Sequence, residues 1–536
     1  MNRDERYRLV LLLACLVLFF YKLGGRDFWD PDEPRYAGIA RGIVEGGDWL
    51  NLTDNGRPYT QKPPLFFWIL AAGARLGSGV TPLGSRLPSS LLALLSVLLL
   101  YRLGRDLVSP RAGLFGALVL ATTQRFFLEA RWVHIDMLLT FLVLVALDSA
   151  WRALEGGERW RWALAYLAAG LGCLAKGPVA VAIPAAALLT FLASVRELPR
   201  MRDTRWWIGV PAALLPALIW LGASSHSAGF DLFSVIRVQV FQRFQEGVHH
   251  PRPFYYYFYS LPLEFLPWTP FLAGAFATTF PGADRSNRRA LLYLYGWFLG
   301  GLALFSVAAE KRPSYLLPIL PALALLLGIF LDDFLVRWNA AQVRKWVAGP
   351  VIFIAAVCLG GVLWIPHAAR GYPGLGGKLV ALAFLYLVAC AGTLTALWQG
   401  KRGMALITFL AGIWIGYLWI AGSLLPYLND YKSARPFCER IVSRIGAARL
   451  GMYGDYRPAY AFYTRRRLEI ILQEERLKEF LAASPAAYCL VNQKDHEPLR
   501  SRMPLRELDR EAVGQNTYLL VTAGEGSPGV APAQPR

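Results

Sequence analysis

The polar residues best suited to chemistry lie in one segment, residues 29–64, just after the first hydrophobic run. The segment reads WDPDEPRYAGIARGIVEGGDWLNLTDNGRPYTQKPP. It begins with three carboxylates, Asp30, Asp32 and Glu33, and it ends with Lys62 before two prolines. A carboxylate can accept a proton or orient an acceptor, and a lysine can hold a phosphate. A bilayer does not require such a loop, so the segment predicts chemistry at the membrane surface.

These carboxylates also have a structural interpretation. Pro34 suits the first turn of a helix, and Asp32 or Glu33 suits its N-terminal cap. The apolar residues between Tyr36 and Ile43 continue at helical spacing. Capping explains one acid well and three acids less well, so the structural and the catalytic interpretations both stay open.

One further carboxylate lies inside an apolar run, RWVHIDMLLTFLVLVAL. A charged side chain at the centre of a membrane helix costs about 2.5–3.5 kcal/mol, so Asp136 is a functional candidate. Pairing with Arg131 or with another cation at the same face is the structural alternative. His134 is interpreted as an interfacial side chain.

Cations recur near the same predicted face in three motifs that combine lysine and proline: QKPP, LAKGP and EKRPSY. The loop over residues 224–261 adds two arginines beside the aromatic run FYYYFY. Snorkelling to the membrane interface explains each cation alone, whereas a convergent anion site explains all of them together. The candidates are Lys62, Lys176, Arg243, Arg252, Lys311 and Arg312.

The elements that must position these residues are membrane helices. Of the 536 residues, 55% are hydrophobic and 17% are charged, and the mean hydropathy is +0.36. Apolar runs of about 17–25 residues, enough to cross about 30 Å of hydrocarbon, predict an all-α polytopic membrane protein with about 13 transmembrane helices. The predicted spans are residues 9–21, 84–104, 111–127, 133–151, 161–175, 178–195, 206–223, 262–280, 290–308, 314–331, 346–366, 378–398 and 403–424. Residues 65–76 predict a re-entrant or interfacial helix.

The basic residues of the short loops orient these spans, because cytoplasmic loops carry an excess of Lys and Arg. Their alternation puts the N-terminus inside, and an odd number of spans puts the C-terminus outside. The net charge of +19 then reflects membrane topology, so we expect no nucleic-acid partner.

Domain boundaries follow from this topology. Residues 1–428 predict a transmembrane domain with outer loops over residues 24–83 and 224–261. Residues 429–522 predict a small extracytoplasmic α/β domain, because RLGMYG and AAYCLV suit strands and EERLKEFLAA suits a helix. Residues 523–536 predict a disordered tail. Whether Cys438 and Cys489 pair in this domain stays open.

Carboxylates and cations at one membrane face suit a reaction on a lipid-linked phosphate. The cations would stabilise the leaving phosphate, and a carboxylate would act as a base or orient the acceptor. No Walker, Rossmann, GxSxG or HExxH pattern appears in the required context, which disfavours a nucleotide-sugar or ATP user.

Specific motifs strengthen this interpretation. The pattern DE-x-RYA, the following GDWL and the ending Y-x-x-KPP resemble the membrane glycosyltransferases of the C superfamily. They are most similar to the lipid A aminoarabinose transferase family, which is related to protein O-mannosyltransferases. The resemblance covers the whole chain, including Asp136 and the motifs LAKGP and KRPSYLLP.

The resemblance implies roles for individual residues. Lys62, Arg35, Tyr59, Arg243 and Tyr315 would contact the donor phosphate, and the outer cation Lys311 joins this predicted set. The predicted catalytic residues are the three carboxylates Asp32, Glu33 and Asp136. Asp32 would orient the amino sugar if the acceptor is an anionic phosphate, or act as the base if the acceptor is a hydroxyl.

The implied activity is transfer of 4-amino-4-deoxy-L-arabinose from undecaprenyl phosphate to lipid A, at the periplasmic face of the bacterial inner membrane. No organic cofactor is implied, and no metal-ligand set is assigned. Gln61 stands where the family often has Glu, which weakens a metal site there and leaves the sugar open. The alternatives are transfer of a hexose or galacturonic acid to lipopolysaccharide core, another glycan or protein, and a lipid-linked sugar flippase. No internal repeat supports the flippase.

Overall fold

The computed structural model describes residues 2–77, 79–246, 251–280, 287–484 and 486–524. It divides into two compact units. The helical unit comprises Met1–Leu23, Thr60–Ile69 and Arg86–Leu424, and the α/β unit comprises Gly24–Tyr59, Leu70–Ser85 and Leu425–Arg536. The polar segment 29–64 is therefore divided between the units after Tyr59. The sequence analysis instead assigned the whole first loop to the transmembrane domain. The predicted tail beyond residue 524 lies outside the described residues.

Helices make up the helical unit, as predicted for a polytopic membrane protein. Its α-helices are Arg3–Phe20, Leu65–Leu76 (which continues into the α/β unit), Pro82–Leu107, Pro110–Ala121, Gln124–Ala130, Ile135–Glu155, Arg161–Lys176, Val179–Ser194, Trp206–Ala228, Leu232–Ile236, Arg243–Gln245, Tyr256–Glu264, Leu272–Thr279, Arg288–Val307, Leu320–Val336, Ala340–Val343, Gly349–Ala368, Leu375–Trp398 and Arg402–Trp419. Tighter 3₁₀ turns occur at Leu198–Thr204, Thr269–Phe271 and Pro313–Ile319, and wider π turns at Arg237–Gln242, Arg344–Ala348 and Ile420–Leu424.

Eight helices in the described part of the chain are long and apolar enough to cross a membrane. They are Pro82–Leu107, Ile135–Glu155, Trp206–Ala228, Arg288–Val307, Pro313–Val336, Ala340–Ala368, Leu375–Trp398 and the apolar start of Arg402–Ile445. The other five predicted spans coincide with helices of 18 residues or fewer. The prediction of an all-α polytopic membrane protein with a small C-terminal α/β part is confirmed.

Two predicted spans are interrupted. The span predicted over residues 111–127 ends at Ala121, because the hydroxyls of Thr122 and Thr123 donate to helix carbonyls at 2.6 and 2.8 Å and so compete with the helical pattern. The span predicted over residues 262–280 is interrupted between the α-helices Tyr256–Glu264 and Leu272–Thr279, because the sequence LPLEFLPWTP is rich in proline.

Small residues let two helices of the helical unit approach each other closely beside Lys176. A Cβ at Gly172 would lie 2.6 Å from the Ala180 Cβ, so the helices Arg161–Lys176 and Val179–Ser194 approach closely there. Gly177 makes the turn between them at a φ of +86°, a conformation that favours glycine. This turn fixes Lys176 at the end of its helix.

The α/β unit contains two sheets. A hairpin pairs β1 (Thr53–Asp54) with β2 (Arg57–Pro58). The larger sheet contains β3 (Arg449–Tyr453), β4 (Glu469–Ile471), β5 (Ala487–Asn492), β6 (Leu505–Val513) and β7 (Asn516–Ala523), in the order β4-β3-β5-β7-β6. Strand β3 is parallel to β4 and β5, and the other pairs are antiparallel. The accompanying helices are Asp32–Gly46, Leu425–Lys432, Arg435–Ile445, Pro458–Thr464, Glu474–Ala482 and Gln493–Arg500.

The two cysteines of this unit are both buried, free thiols. Cys438 packs in the same core as Leu490 of β5, whereas Cys489 packs in the other core with Val491. Adjacent residues of a strand point to opposite faces of a sheet. The two thiols therefore lie on opposite sides of the sheet and do not pair.

Candidate active site

Predicted site residues from distant parts of the chain meet at one cavity of the helical unit. The cavity has a volume of about 360 Å³. Its polar wall consists of Lys62, Asp136, Lys176, Gln239, Arg243, Gln245, Glu310 and Tyr315. Five of these are candidates from the sequence, and the structure brings them together: Lys62, Asp136, Lys176, Arg243 and Tyr315.

Helix ends and irregular turns position these side chains. Asp136 lies in the first turn of Ile135–Glu155, and Lys176 is the last residue of its helix. Arg243 directly follows the π turn Arg237–Gln242, and Tyr315 lies in a 3₁₀ turn that begins at Pro313. Such irregular turns re-aim side chains and are frequent at functional sites. Lys62 precedes Pro63 and Pro64, which keep it outside the following helix.

Asp136 is 3% exposed and contacts two cationic side chains. The Lys176 ammonium forms an ion pair with Asp136 Oδ1, and His134 Nδ1 lies 2.9 Å from Asp136 Oδ2. His134 Nδ1 thus lies between the carboxylates of Glu129 and Asp136, so His134 is not merely an interfacial side chain.

The ion pairs continue away from the cavity in a row of alternating charge. His134 Nδ1 lies 2.9 Å from Glu129 Oε2, Arg125 Nη1 donates to Glu129 Oε1 at 3.1 Å, and Arg125 Nε donates to Glu264 Oε2 at 2.7 Å. We call Glu264, Arg125, Glu129, His134, Asp136 and Lys176 the ionic row. Breaking a buried pair leaves an uncompensated charge, so each member restrains the next. The row thereby fixes Lys176 at the cavity wall.

At the same cavity wall, Glu310 connects two predicted phosphate ligands. The Tyr315 hydroxyl donates to Glu310 Oε1 at 3.2 Å, and Arg243 Nε lies 3.7 Å from Glu310 Oε2. The Lys176 ammonium lies 4.5 Å from the centre of the Tyr315 ring, within cation–π range. Sequence reasoning did not predict Glu310 as a site residue, although a carboxylate just after an apolar helix could have indicated one.

The cavity has more capacity to bind an anion than its own groups use. Among the described residues of this wall, Arg243 Nε is a buried donor without a hydrogen-bond partner, which costs about 1–3 kcal/mol. Burial and the nearby charges of Lys176 and Arg243 lower the pKa of Lys62 to about 7. A bound anion would relieve the repulsion among these cations and give Arg243 Nε an acceptor.

Lys311 does not belong to this wall. It is 3% exposed, and its ammonium donates to the carbonyl of Arg252 at 3.1 Å and to the carbonyl of Ala308. Burial lowers its pKa. The ammonium therefore ties neighbouring backbone together at the end of the helix Arg288–Val307, which accounts for Lys311 without a phosphate.

The predicted site residues before Thr60 belong to the α/β unit. Glu33 is 1% exposed and accepts hydrogen bonds from Arg26 Nη1 at 2.5 Å, Arg26 Nη2 at 3.2 Å and the Trp29 amide at 3.3 Å. A carboxylate so fully engaged has little capacity for substrate. This geometry favours the structural interpretation of Glu33.

Arg35 lies among acidic groups of the same unit. Its Nε donates to Asp54 Oδ2 at 3.2 Å, and its Nη1 lies 3.7 Å from Asp32 Oδ1. The Tyr456 hydroxyl donates to Asp54 Oδ1 at 2.8 Å. Burial lowers the pKa of Arg35, but Tyr59, Asp54 and Asp32 outweigh it and raise the pKa. The side chain of Asp32 keeps about a quarter of its surface exposed, 24%, and so stays accessible.

Asp30 is held by backbone in the same unit. It accepts a hydrogen bond from the Ala459 amide at 2.9 Å, and burial raises its pKa despite the nearby Arg457 and Arg35. Over the described ranges, no three His, Cys, Asp or Glu side chains gather as a metal-ligand set. The expectation of no cofactor stays a prediction.

The chain matches one family model and several named relatives. The family model described as dolichyl-phosphate-mannose-protein mannosyltransferase matches residues 61–221. Several relatives bear the name undecaprenyl phosphate-alpha-4-amino-4-deoxy-L-arabinose arabinosyl transferase. The one from Pseudomonas fluorescens is 32% identical, with coverage of 90% of this chain and 83% of the relative. The one from Edwardsiella ictaluri is 30% identical, with coverage of 82% and 80%.

A relative from Pseudomonas aeruginosa is 33% identical over 344 residues, which is 62% of this chain, and this chain spans 61% of that relative's length. The fold has a solved counterpart. ArnT from Cupriavidus metallidurans bound to undecaprenyl phosphate has a TM-score of 0.78 and 21% identity, with coverage of 98% of this chain and 99% of that one. Its apo structure has a TM-score of 0.80.

Proposed function

Because this chain belongs to the family of undecaprenyl phosphate-alpha-4-amino-4-deoxy-L-arabinose arabinosyl transferases, we propose that it transfers that amino sugar from undecaprenyl phosphate to lipid A. The enzyme is then a membrane glycosyltransferase of the C superfamily. The observation that carries the proposal is the convergence of Lys62, Arg243 and Tyr315 on one cavity beside Asp136.

The donor phosphate binds at the cationic wall. Lys62 and Arg243 supply positive charge, and the Tyr315 hydroxyl supplies a donor when it turns from Glu310 to the phosphate. Lys176 adds charge, but its ammonium stays bound to Asp136. Aromatic and aliphatic side chains such as Phe241, Phe244 and Leu304 line the rest of the cavity, and they suit the first isoprene units of the lipid.

The reaction forms one glycosidic bond and breaks another. An acceptor oxygen attacks the anomeric carbon, and the bond between that carbon and the phosphate oxygen breaks with both electrons going to the oxygen. The phosphate thus gains negative charge as it leaves. Cations that are already in place stabilise this charge more in the transition state than in the ground state. Lys62 becomes fully protonated as the phosphate charge grows.

The acceptor decides the role of Asp32. A phosphate of lipid A is already anionic and needs no base, so Asp32 binds or orients the amino sugar. Its side chain is 24% exposed and lies 3.7 Å from the Arg35 guanidinium, so the carboxylate is accessible. Asp136 supports the cationic wall through Lys176 and is a positioning residue in this scheme.

The cellular setting follows from the proposed topology. The active site and the C-terminus face the periplasm of a bacterial inner membrane, and the amino sugar makes lipid A less anionic. Lower negative charge weakens the attraction for cationic peptides such as polymyxin. A transferase for another sugar, a hexose or galacturonic acid, is the second candidate, and Gln61 in the motif QKPP is the observation that favours it.

A reconstituted transfer assay tests the proposal. Purified full-length protein receives undecaprenyl phosphate carrying labelled aminoarabinose, with lipid A as the acceptor, and mass spectrometry follows the product. We expect modified lipid A from the unaltered chain and from Lys401→Ala, an exposed lysine outside the cavity, and almost none from Lys62→Ala. Product with a hexose or galacturonic acid donor alone would favour the second candidate. Movement of the donor between leaflets without a new bond would indicate a flippase.

A further inference from the structure

The helical unit has a second, larger cavity that the proposed reaction does not use. Its volume is about 750 Å³, and it shares no residue with the first cavity. It lies between the end of Ile135–Glu155, the start of Arg161–Lys176, the turn Leu198–Thr204 and the start of Trp206–Ala228. The distribution of basic residues predicts that this end of the helices is cytoplasmic.

Four arginines line this cavity, and they differ in how their charge is compensated. Arg200 Nη1 forms ion pairs with Glu155 at 3.2 Å and with Glu197 at 2.8 Å. In the described part of the chain, the side chains of the other three have no hydrogen bond or ion pair. These three are Arg159, Arg202 and Arg205. The cavity therefore carries surplus positive charge.

One acidic side chain of the wall does not cancel this charge. Asp203 is the only carboxylate among the described lining residues, and its side chain is 63% exposed. It forms an ion pair with Arg200, whose Nε lies 3.7 Å from Asp203 Oδ2. The three uncompensated guanidinium groups remain available to an anionic ligand.

Aromatic and aliphatic side chains form the rest of the wall. Trp160 is 63% exposed, Trp207 is 50% exposed and Ile208 is 62% exposed, and all three line the cavity. Indole rings favour the boundary between lipid headgroups and acyl chains. Basic and apolar surfaces in one cavity match a ligand with an anionic head and a hydrocarbon tail.

The shape of this cavity is set by specific contacts. A Cβ at Gly209 would lie 2.1 Å from a ring carbon of Tyr166, so only glycine lets the two helices meet there. The Tyr166 hydroxyl donates to the Thr204 carbonyl at 3.0 Å. Arg205 follows with a φ of +52°, a conformation that is uncommon for a residue other than glycine.

We propose that this cavity binds the phosphodiester headgroup of an anionic phospholipid. The guanidinium groups of Arg159, Arg202 and Arg205 hold the phosphate, because planar guanidinium forks match phosphate oxygens. The exposed indoles lie beside the glycerol and the upper acyl chains. The positive-inside rule accounts for arginines at this face, but it does not account for their convergence on an aromatic cavity. Basic cavities between membrane helices on the cytoplasmic side are suited to such headgroups.

A lipid titration of the full-length protein tests the proposal. Delipidated protein in a neutral detergent is titrated with phosphatidylglycerol, with phosphatidylcholine or with inorganic phosphate, and binding is measured by native mass spectrometry. We expect binding of phosphatidylglycerol at least tenfold tighter than that of phosphatidylcholine. Inorganic phosphate shares the headgroup chemistry but not the chains, so it should not displace the lipid at equal concentration.

A pair of matched double variants locates the binding. Arg159→Gln with Arg202→Gln should weaken phosphatidylglycerol binding about tenfold or more, because two of the three guanidinium groups that hold the phosphate are lost. Arg3→Gln with Arg6→Gln removes the same charge from exposed residues at the same predicted face and should leave binding within twofold. Equal loss in both variants, no loss in either, or full displacement by inorganic phosphate would overturn the proposal. Sugar transfer is not the readout, so the proposed reaction is not tested here.

Discussion

Two polar clusters of this molecule draw on the same segment, residues 29–64, yet they differ in how their charges are compensated. In the α/β unit, Arg26 pairs with Glu33 and Arg35 pairs with Asp54, so most charges already have partners. In the helical unit, Lys62 lies near other cations, and Arg243 Nε has no hydrogen-bond partner. Proximity in sequence therefore does not equal a shared role: one cluster stabilises a fold, and the other has surplus charge for an anion.

The largest expected effect is on stability, at Glu33 of the α/β unit. Glu33→Ala would leave the buried Arg26 without its partner, and removing one member of a buried ion pair costs about 3–5 kcal/mol. We expect a large fall in the unfolding temperature, with transfer lost only in proportion to the unfolded fraction. Glu45→Ala, an exposed acid in the same helix, is the control and should change the unfolding temperature little. If Glu33→Ala stays stable but loses transfer, Glu33 is catalytic, as the sequence predicted.

A substitution in the cavity of the helical unit should lower transfer but not the unfolding temperature. Lys62→Ala removes a preformed charge from the leaving phosphate, and loss of one such group typically lowers kcat about 10²- to 10³-fold. The unfolding temperature should stay the same or rise, because the substitution removes a repelled, partly buried cation. Single-turnover kinetics and thermal unfolding separate the two effects. Full transfer by Lys62→Ala would contradict the placement of the phosphate in this cavity.

Asp32 is the accessible carboxylate of the cluster in the α/β unit. Its substitution therefore distinguishes a role in donor binding from a role as general base. If the acceptor is a lipid A phosphate, Asp32→Asn should raise KM for the sugar donor about tenfold, with a smaller change in kcat. A general base would instead contribute about 10²- to 10⁴-fold to the chemical step. Steady-state kinetics with lipid A distinguish the roles, and a loss confined to kcat would make Asp32 the base.

The smallest expected effect is a pH dependence of donor binding. The pKa of Lys62 is about 7 in the free protein, and a bound phosphate raises it, because opposite charge favours the protonated form. Donor affinity should therefore be highest below pH 7 and fall about fivefold between pH 7 and pH 8. The fall should stop once the pH exceeds the raised pKa of Lys62 in the complex. Titration calorimetry with the intact sugar donor measures this, and Lys62→Arg should flatten the curve. A flat curve for the unaltered chain would mean that Lys62 does not contact the phosphate.

The sequence predicted the fold well, because span length and charge bias are local properties that a bilayer imposes. It also predicted that the cations Lys62 and Arg243 would converge, since cations on the disfavoured face needed a common reason. Asp136 was a candidate because it lies inside an apolar run, and the role of Tyr315 came from the family resemblance. It did not predict that Lys311 turns toward backbone carbonyls, or that His134 joins the ionic row. Those outcomes depend on side-chain direction and on partners far away in sequence, such as Glu129 and Glu264.

The most direct test is an experimental structure of the full chain with undecaprenyl phosphate bound. The account predicts the phosphate in the cavity of the helical unit, with its oxygens within about 3.2 Å of Lys62 Nζ, an Arg243 guanidinium nitrogen and the Tyr315 hydroxyl. A phosphate held by Arg35 in the α/β unit, or one in the second cavity beside Arg202, would contradict it.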